Sequence, residues 1–379
     1  MNRGILVRRL PISYLRPGMR VARAVLSSTG QLLINRGVIL SDGIIRRLGL
    51  LGVPSLYVED GPDLPVEDVI SDETRQKAIQ QVRELFVTAQ EETRPLSRAL
   101  VLAENLARTV GEIIEQLLGR PDVVVNLTDI RAWDDYTFGH SVNVCVLSLL
   151  TGVRLGLTRP HLTALGLGAI LHDLGKVRVP LPVLQKPGSL TPEEFELVKQ
   201  HAEWGYRMAK ELTEAGPLAA IIPLQHHERY NGNGYPKGLK AGEIHAFAVI
   251  CGLADVFDAL TADRIYRPAF PVHEAYEYLA GSGNHLFDHR LLCAFLENLA
   301  LYPTGTPVML STGEVAVVVK TTRGLPRTPL VRVVLDREGR PVPPYELDLA
   351  QFPDLVITRV LPPEEAARLP ALSAAEAAG

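Results

Sequence analysis

A chain of 379 residues allows two or three domains, and 46% hydrophobic with 22% charged residues is the composition of a folded protein that can bury a large core. The formal net charge of −4 argues against a long nucleic-acid track, which needs clustered Lys and Arg, but leaves room for a small anionic ligand met by local basic residues. No stretch approaches the roughly 20 apolar residues needed to span a bilayer, and the N-terminus lacks a signal-peptide plan, so a cytoplasmic protein without a membrane span is expected. The three cysteines, Cys145, Cys251 and Cys293, are odd in number and set among apolar neighbours, which reads as reduced core residues.

Residues 1–60 read as a small β-rich module, with strands over Gly4 to Leu10, Gly18 to Leu26, Gln31 to Ile34 and Ser55 to Val58 and a helix over Ser41 to Leu51. It holds no cluster of titratable groups in apolar context, so no chemistry is expected there. Residues 66–120 form a helical linker in which Leu96, Leu100, Ala103, Leu106, Val110, Ile113 and Leu117 recur at intervals of three and four. Such a seam packs on one partner helix, either in a homodimer through the helices over 71–118 or on the chain's own catalytic region.

Residues 125–300 carry the polar groups that do not fit a plain core. An apolar helix over Val142 to Val153 has His140 at its N-terminal end. Leu162, Leu165, Leu167, Ile170 and Leu171 are apolar at helical spacing, which places His172 and Asp173 in the last turn of a buried helix that Gly175 stops. A buried carboxylate beside a buried imidazole is tolerable where a cation neutralises it; the plainer alternative pairs Asp173 with Lys176 and His172 with a backbone carbonyl. Thr191, Pro192 and Glu194 make a capped helix start, and His201 follows two turns later on the inward face. A further apolar helix, Pro217 to Gln225, ends on His226 and His227; neighbours on a helix point about 100° apart, so both reach one ion only where the helix is ending. Asp255 sits in the apolar helix Ala246 to Leu260, and Asp258 three residues on is either an orienting group or a partner for Arg264. All 10 histidines fall between His140 and His289, and His140, His172, His201, His226 and His227 lie in apolar surroundings. With Asp173 and Asp255 they make seven ligands, more than one transition metal accepts, which points to two ions.

The blocks His172-Asp173 with Gly175-Lys176, Lys186-Pro187-Gly188, His201, His226-His227-Glu228, Gly234-Tyr235-Pro236 and Asp255 through Asp258 to Arg264 and Arg267 occur in an order that closely resembles the HD-GYP family over about residues 130–300. The fold class this implies is mainly α, an all-α HD-type helical catalytic domain with small β-rich N-terminal and C-terminal modules. The resemblance implies a phosphodiesterase that hydrolyses cyclic di-GMP to linear pGpG or GMP in bacterial signalling. It also implies a binuclear centre of two divalent transition metals, iron or manganese by preference, with others open. His140, His172, Asp173 and Asp255 would hold one ion and Asp173, His201, His226 and His227 the other, Asp173 bridging as a catalytic group. Lys176 would touch a phosphate oxygen or assist the leaving group, and Gly234, Tyr235, Pro236, Arg264 and Arg267 would bind substrate. Diguanylate cyclases or regulatory proteins would be further partners. Two departures stand out: Asn231 replaces the usual Asp, and Tyr136 stands where some members carry a Glu that helps hold a third ion. Two other readings remain, a hydrolase of another nucleotide on the same framework and a non-catalytic cyclic di-GMP sensor.

From Pro303 the pattern changes to strands: Pro307 to Leu310, Glu314 to Lys320, Leu330 to Asp336 and Leu355 to Val360, a small β appendage over 303–362 resembling an SH3-like barrel. Residues 363–379, rich in Ala and Glu, are expected to be a flexible tail or loose helix.

Overall fold

A computed structural model describes residues 5–366 and residue 369, apart from 23, 27–31, 54, 63–68, 92–95, 121–123, 125–135, 214–215, 263–268 and 323. The N-terminal part contains β1 (Ile5–Pro11), β2 (Arg20–Val21), β3 (Val25–Leu26), β4 (Leu32–Ile34), α1 (Asp42–Leu50) and β5 (Ser55–Pro62). Antiparallel pairing sets β5 between β1 and β2, while β3 pairs with β4. Ser41 caps α1 by accepting from the Ile44 N–H, and Leu10, Val21, Val25, Leu48, Leu56 and Val58 close a core of their own.

Two long helices follow, α2 (Asp72–Gln90) and α3 (Leu96–Leu118), and then α4 (Tyr136–Arg154) and α5 (Arg159–Ile170). Ala103, Leu106, Val110, Ile113 and Leu117 of α3 are buried in the chain's own core, whereas Leu96 and Leu100 at its start remain exposed. The seam read from the sequence is therefore spent largely on the chain itself. Shorter helices complete the bundle: α6 (Leu181–Leu184), α7 (Pro192–Lys199), α8 (His201–Leu212), α9 (Gly216–Gln225), α10 (Ala246–Thr261), α11 (Val272–Ala280) and α12 (His289–Leu296). One hydrophobic core runs through α2 to α5 and α8 to α12. Among the described residues no helix is long and apolar enough to cross a membrane.

Three local expectations change. The helix before His172 ends one turn early, at Ile170, so His172 and Asp173 lie in the turn that leads into a 3-10 segment, Leu174–Arg178, with Gly175 inside it. A Cβ on Gly175 would stand 1.9 Å from the His201 carbonyl oxygen, so glycine serves there to admit the neighbouring segment. His201 does not continue the Thr191-capped helix but opens α8 after a break at Gln200. Cys293 is exposed, because it lies on the outer face of the amphipathic α12, while Cys145 and Cys251 are buried as expected.

The C-terminal sheet has β6 (Pro307–Leu310), β7 (Val315–Lys320), β8 (Leu330–Leu335), β9 (Pro341–Asp348) and β10 (Ile357–Val360) in the antiparallel order β10-β6-β7-β8-β9. Sequence patterning missed β9 because its three prolines argue against a central strand; they are accommodated at a sheet edge, where an N–H can be spared. Successive residues of β7 feed two apolar clusters, Val315, Val317 and Val319 in one and Ala316 and Val318 in the other, so both faces of the sheet are covered. A short α13 (Pro363–Ala366) follows, and residues 370–379 of the expected tail lie outside the described residues.

Candidate metal centre

Five histidines and two aspartates from five segments converge on one interior point. His140 comes from the first turns of α4, His172 and Asp173 from the turn after α5, His201 from the start of α8, His226 and His227 from the end of α9, and Asp255 from α10. His172 and His201 are fully buried, and His140, Asp173 and His226 nearly so. The side chains form two adjacent groups, Asp173, His201, His226 and His227 in one and His140, His172 and Asp255 in the other, each with its ligand atoms within 4.8 Å of one another. Asp173 faces both: its Oδ1 is 3.6 Å from His201 Nε2 and its Oδ2 is 3.4 Å from His172 Nε2.

The ring tautomers are set from outside the cluster. His172 Nδ1 is 2.8 Å from the Ala169 carbonyl oxygen, His201 Nδ1 is 2.6 Å from that of Val198, and His226 Nδ1 is 3.0 Å from that of Pro223. A carbonyl only accepts, so each Nδ1 carries the proton and each Nε2 presents a lone pair inward. Those three Nε2 atoms and Asp173 Oδ1 are buried without a hydrogen-bond partner. Buried polar atoms are nearly always paired, and these four orphans are donors of the kind a divalent ion takes, three of them in the Asp173 group and one, His172 Nε2, in the other. The residues therefore fit a metal. Burial holds His201 down to about 4 and His226 to about 3, so both are neutral and able to coordinate. Burial would raise Asp173, but Lys176, His172 and His201 outweigh it and hold the carboxyl well below its usual range. At His140 burial opposes the charge, yet hydrogen bonds to Asp255 and Asp258 prevail and raise it to about 9.

Groups around the ligands account for their orientation. Asp258, fully buried, places Oδ2 2.6 Å from His140 Nδ1 and accepts from Asn143 Nδ2 at 3.1 Å. Of the two roles the sequence left open for Asp258, the contact with His140 is the one made among the described residues, and Arg264 lies outside them. Lys176 Nζ lies 2.5 Å from Asp173 Oδ2 and its side chain is one-third exposed, so it stands at the rim of the cluster, partly open to solvent. The plainer reading of Asp173 and His172, a Lys partner and a backbone carbonyl, is also present, but it leaves Asp173 Oδ1 and His172 Nε2 unsatisfied.

The Gly-Tyr-Pro loop closes one side. The Tyr235 ring lies 4.6 Å from that of His227 at 30°, and Phe195 packs edge-on against Tyr235. The buried Glu228 carboxylate accepts from the Lys237 N–H at 2.8 Å and the Leu239 N–H at 2.9 Å, pinning the loop. A Cβ on Gly234 would meet Glu228 Cα at 2.4 Å, so only glycine lets the loop fold back this closely. Asn231 accepts from the Asn233 N–H at 3.0 Å through its carboxamide oxygen, which performs what a carboxylate would do there. Sequence reasoning gave Glu228 and Asn143 no role. The available signal was polarity: Asn143 lies within one turn of His140 in an apolar run, and Glu228 directly follows His227 at the end of one. Arg264 and Arg267 lie outside the described residues, as does the side chain of Tyr136.

Comparison with known proteins agrees with this geometry. An HD domain model matches residues 132–291, and a model described as a KOW domain associated with HD domain matches 307–369. A cyclic di-GMP phosphodiesterase of Pseudomonas aeruginosa is 31% identical over 374 residues, covering 91% of this chain and 90% of that protein. The chain belongs to the HD-GYP family. Within it, a cyclic di-GMP phosphodiesterase of Thermotoga maritima is 36% identical over 53% of this chain and 55% of its own. A 3'3'-cGAMP-specific phosphodiesterase of Vibrio cholerae is 34% identical over 46% of this chain and 38% of its own. The chain thus spans nearly all of the first relative, about half of the second and less than half of the third.

Proposed function

We infer that this HD-GYP protein is a metal-dependent phosphodiesterase that hydrolyses cyclic di-GMP to linear pGpG or GMP at a binuclear centre. The observation that carries the reading is the set of orphaned, inward-facing ligand atoms on both sides of Asp173. His140, His172, Asp173 and Asp255 are assigned to one ion and Asp173, His201, His226 and His227 to the other, with iron or manganese the best match to a mixed imidazole and carboxylate set. Bound ions supply Lewis acidity toward the phosphate and lower the pKa of a water to near neutrality.

The chain's own residues do the rest. Asp173 is held ionised and spans the two groups, and His201 and His226, kept neutral by burial, aim their lone pairs inward. Lys176 donates from the rim to a phosphate oxygen or to the departing oxygen. The loop Gly234, Tyr235 and Pro236 meets the substrate beside His227, and Arg264 and Arg267 fork onto phosphate or guanine edges. A cytoplasmic setting fits a nucleotide second messenger as substrate. The exposed Leu96 and Leu100 leave the 71–118 helices one apolar strip for a homodimer.

The test is hydrolysis of cyclic di-GMP and 3'3'-cGAMP by anaerobically purified protein, with product identification and metal content. Faster turnover of cyclic di-GMP with two metals per chain supports the reading; preference for 3'3'-cGAMP moves the substrate assignment, and recovery of intact cyclic di-GMP makes the protein a sensor. Arg264→Ala against Asp255→Ala separates recognition from chemistry. The first should weaken binding by roughly tenfold to a hundredfold with metal retained, since a charged hydrogen bond contributes about 1.5–3 kcal/mol, and the second should lose metal.

A further inference from the structure

Arg75 of α2 lies outside the segment that matches the HD domain, 57 residues before its start at 132, yet its side chain is buried against the bundle that holds the metal centre. Its Nη1 donates to Asn143 Oδ1 at 2.8 Å, Asn143 Nδ2 donates to Asp258 Oδ1 at 3.1 Å, and Asp258 Oδ2 meets His140 Nδ1 at 2.6 Å. His140 Nε2 in turn lies 3.2 Å from Asp255 Oδ1, inside the group formed with His172.

The order of these contacts has a direction. A guanidinium can only donate, so it compels the carboxamide oxygen of Asn143 to face Arg75 and its NH2 to face Asp258. Turned the other way, the same carboxamide would set its oxygen against a buried carboxylate. With the Asn143 donor in place, Asp258 is fixed in rotation and its second oxygen holds the His140 ring. We propose that Arg75 is a positioning residue of the metal centre, acting through Asn143 and Asp258 on the ion held by His140, His172 and Asp255 and not on the ion held by His201, His226 and His227. The inference rests on reading the two groups as metal sites. It makes α2 a working part of the centre, although α2 precedes the catalytic helices in the chain and supplies no ligand.

The experiment uses full-length metal-free protein titrated with Mn2+ against a competing chelator. Two backgrounds separate the ions: His201→Ala leaves the His140 group intact, and His140→Ala leaves the other. Adding Arg75→Met should weaken the remaining ion about 10- to 100-fold in the His201→Ala background, the usual cost of removing a group that orients a ligand. In the His140→Ala background it should change the remaining ion by no more than about twofold, as expected for uncoupled sites. Arg75→Lys, which still donates to Asn143 Oδ1, should recover most of the loss. If Arg75→Met does not fold, as judged by circular dichroism and a cooperative melt, Asn143→Ser breaks the same relay and is held to the same pair of results. Equal weakening in both backgrounds reveals general loosening and overturns the proposal, as does no weakening in either. Wild-type protein that takes up no Mn2+ overturns the metal-centre reading and the proposal together, whereas two tightly held ions that ignore Arg75 overturn the proposal alone.

Discussion

The Tyr235 ring lies tilted by 30° against the imidazole of His227, with centroids 4.6 Å apart, so the Gly-Tyr-Pro loop touches the candidate metal centre through His227. This contact is made by the ring faces and not by the hydroxyl. Tyr235→Phe should therefore keep metal affinity near wild type. Tyr235→Ala should weaken the ion held by His227 by roughly two- to tenfold, the equivalent of an aromatic pair contribution of about 0.5–1.5 kcal/mol. Chelator competition on the two variants checks this; equal affinity in both would leave the loop a role in substrate binding only.

Glu228 is the loop's anchor, and its loss should be felt in stability. Glu228→Ala strands the Lys237 and Leu239 N–H groups that it now accepts from. With hydrogen bonds to a charged group contributing about 1.5–3 kcal/mol each, a loss of about 3 kcal/mol or more is expected in urea unfolding of the metal-free protein. A change under about 1 kcal/mol would mean that water replaces the carboxylate at no cost.

Gly175→Ala tests how tightly the ligand-bearing segments are pressed together. Its Cβ would stand 1.9 Å from the His201 carbonyl oxygen and 2.5 Å from the Gly205 N, both backbone atoms that no rotamer change can move aside. The segment must separate from α8, at a cost of about 1–3 kcal/mol or more, and His201 should move with it. Metal analysis and a thermal melt should show loss of stability together with loss of one ion; a melt unchanged within error would contradict the packing.

Removing ligands should subtract ions according to the assignment. His201→Ala should bind one divalent ion in place of two, and Asp173→Ala neither tightly, because Asp173 faces both groups. Full two-ion occupancy in Asp173→Ala would sink the bridging role.

Tyr136→Glu places a carboxylate one helical turn before His140 in α4. Ion capacity under excess metal should rise from two to three. An unchanged count would show that the residue at this position does not set it.

Much of the centre was legible in the sequence because its ligands sit in apolar helical surroundings where an unpaired imidazole or carboxylate is costly. His140, His172, Asp173, His201, His226, His227 and Asp255 could each be named from that conflict. The long helices and the Thr191 capping box followed from apolar spacing and cap chemistry, which are local properties. What required tertiary structure was everything set by distance between segments. The division of the seven candidate ligands into two groups depends on five elements meeting, and the close approach of the segment after Asp173 to α8 depends on glycine at 175. The β9 strand forms despite its prolines because β8 offers it an edge. Arg75 reads in sequence as one charge on an amphipathic helix; only the packing of α2 on α4 brings it to Asn143, 68 residues away, and through it to His140. Local patterns report which side chains cannot be left alone in a core, and the fold decides which partners they meet.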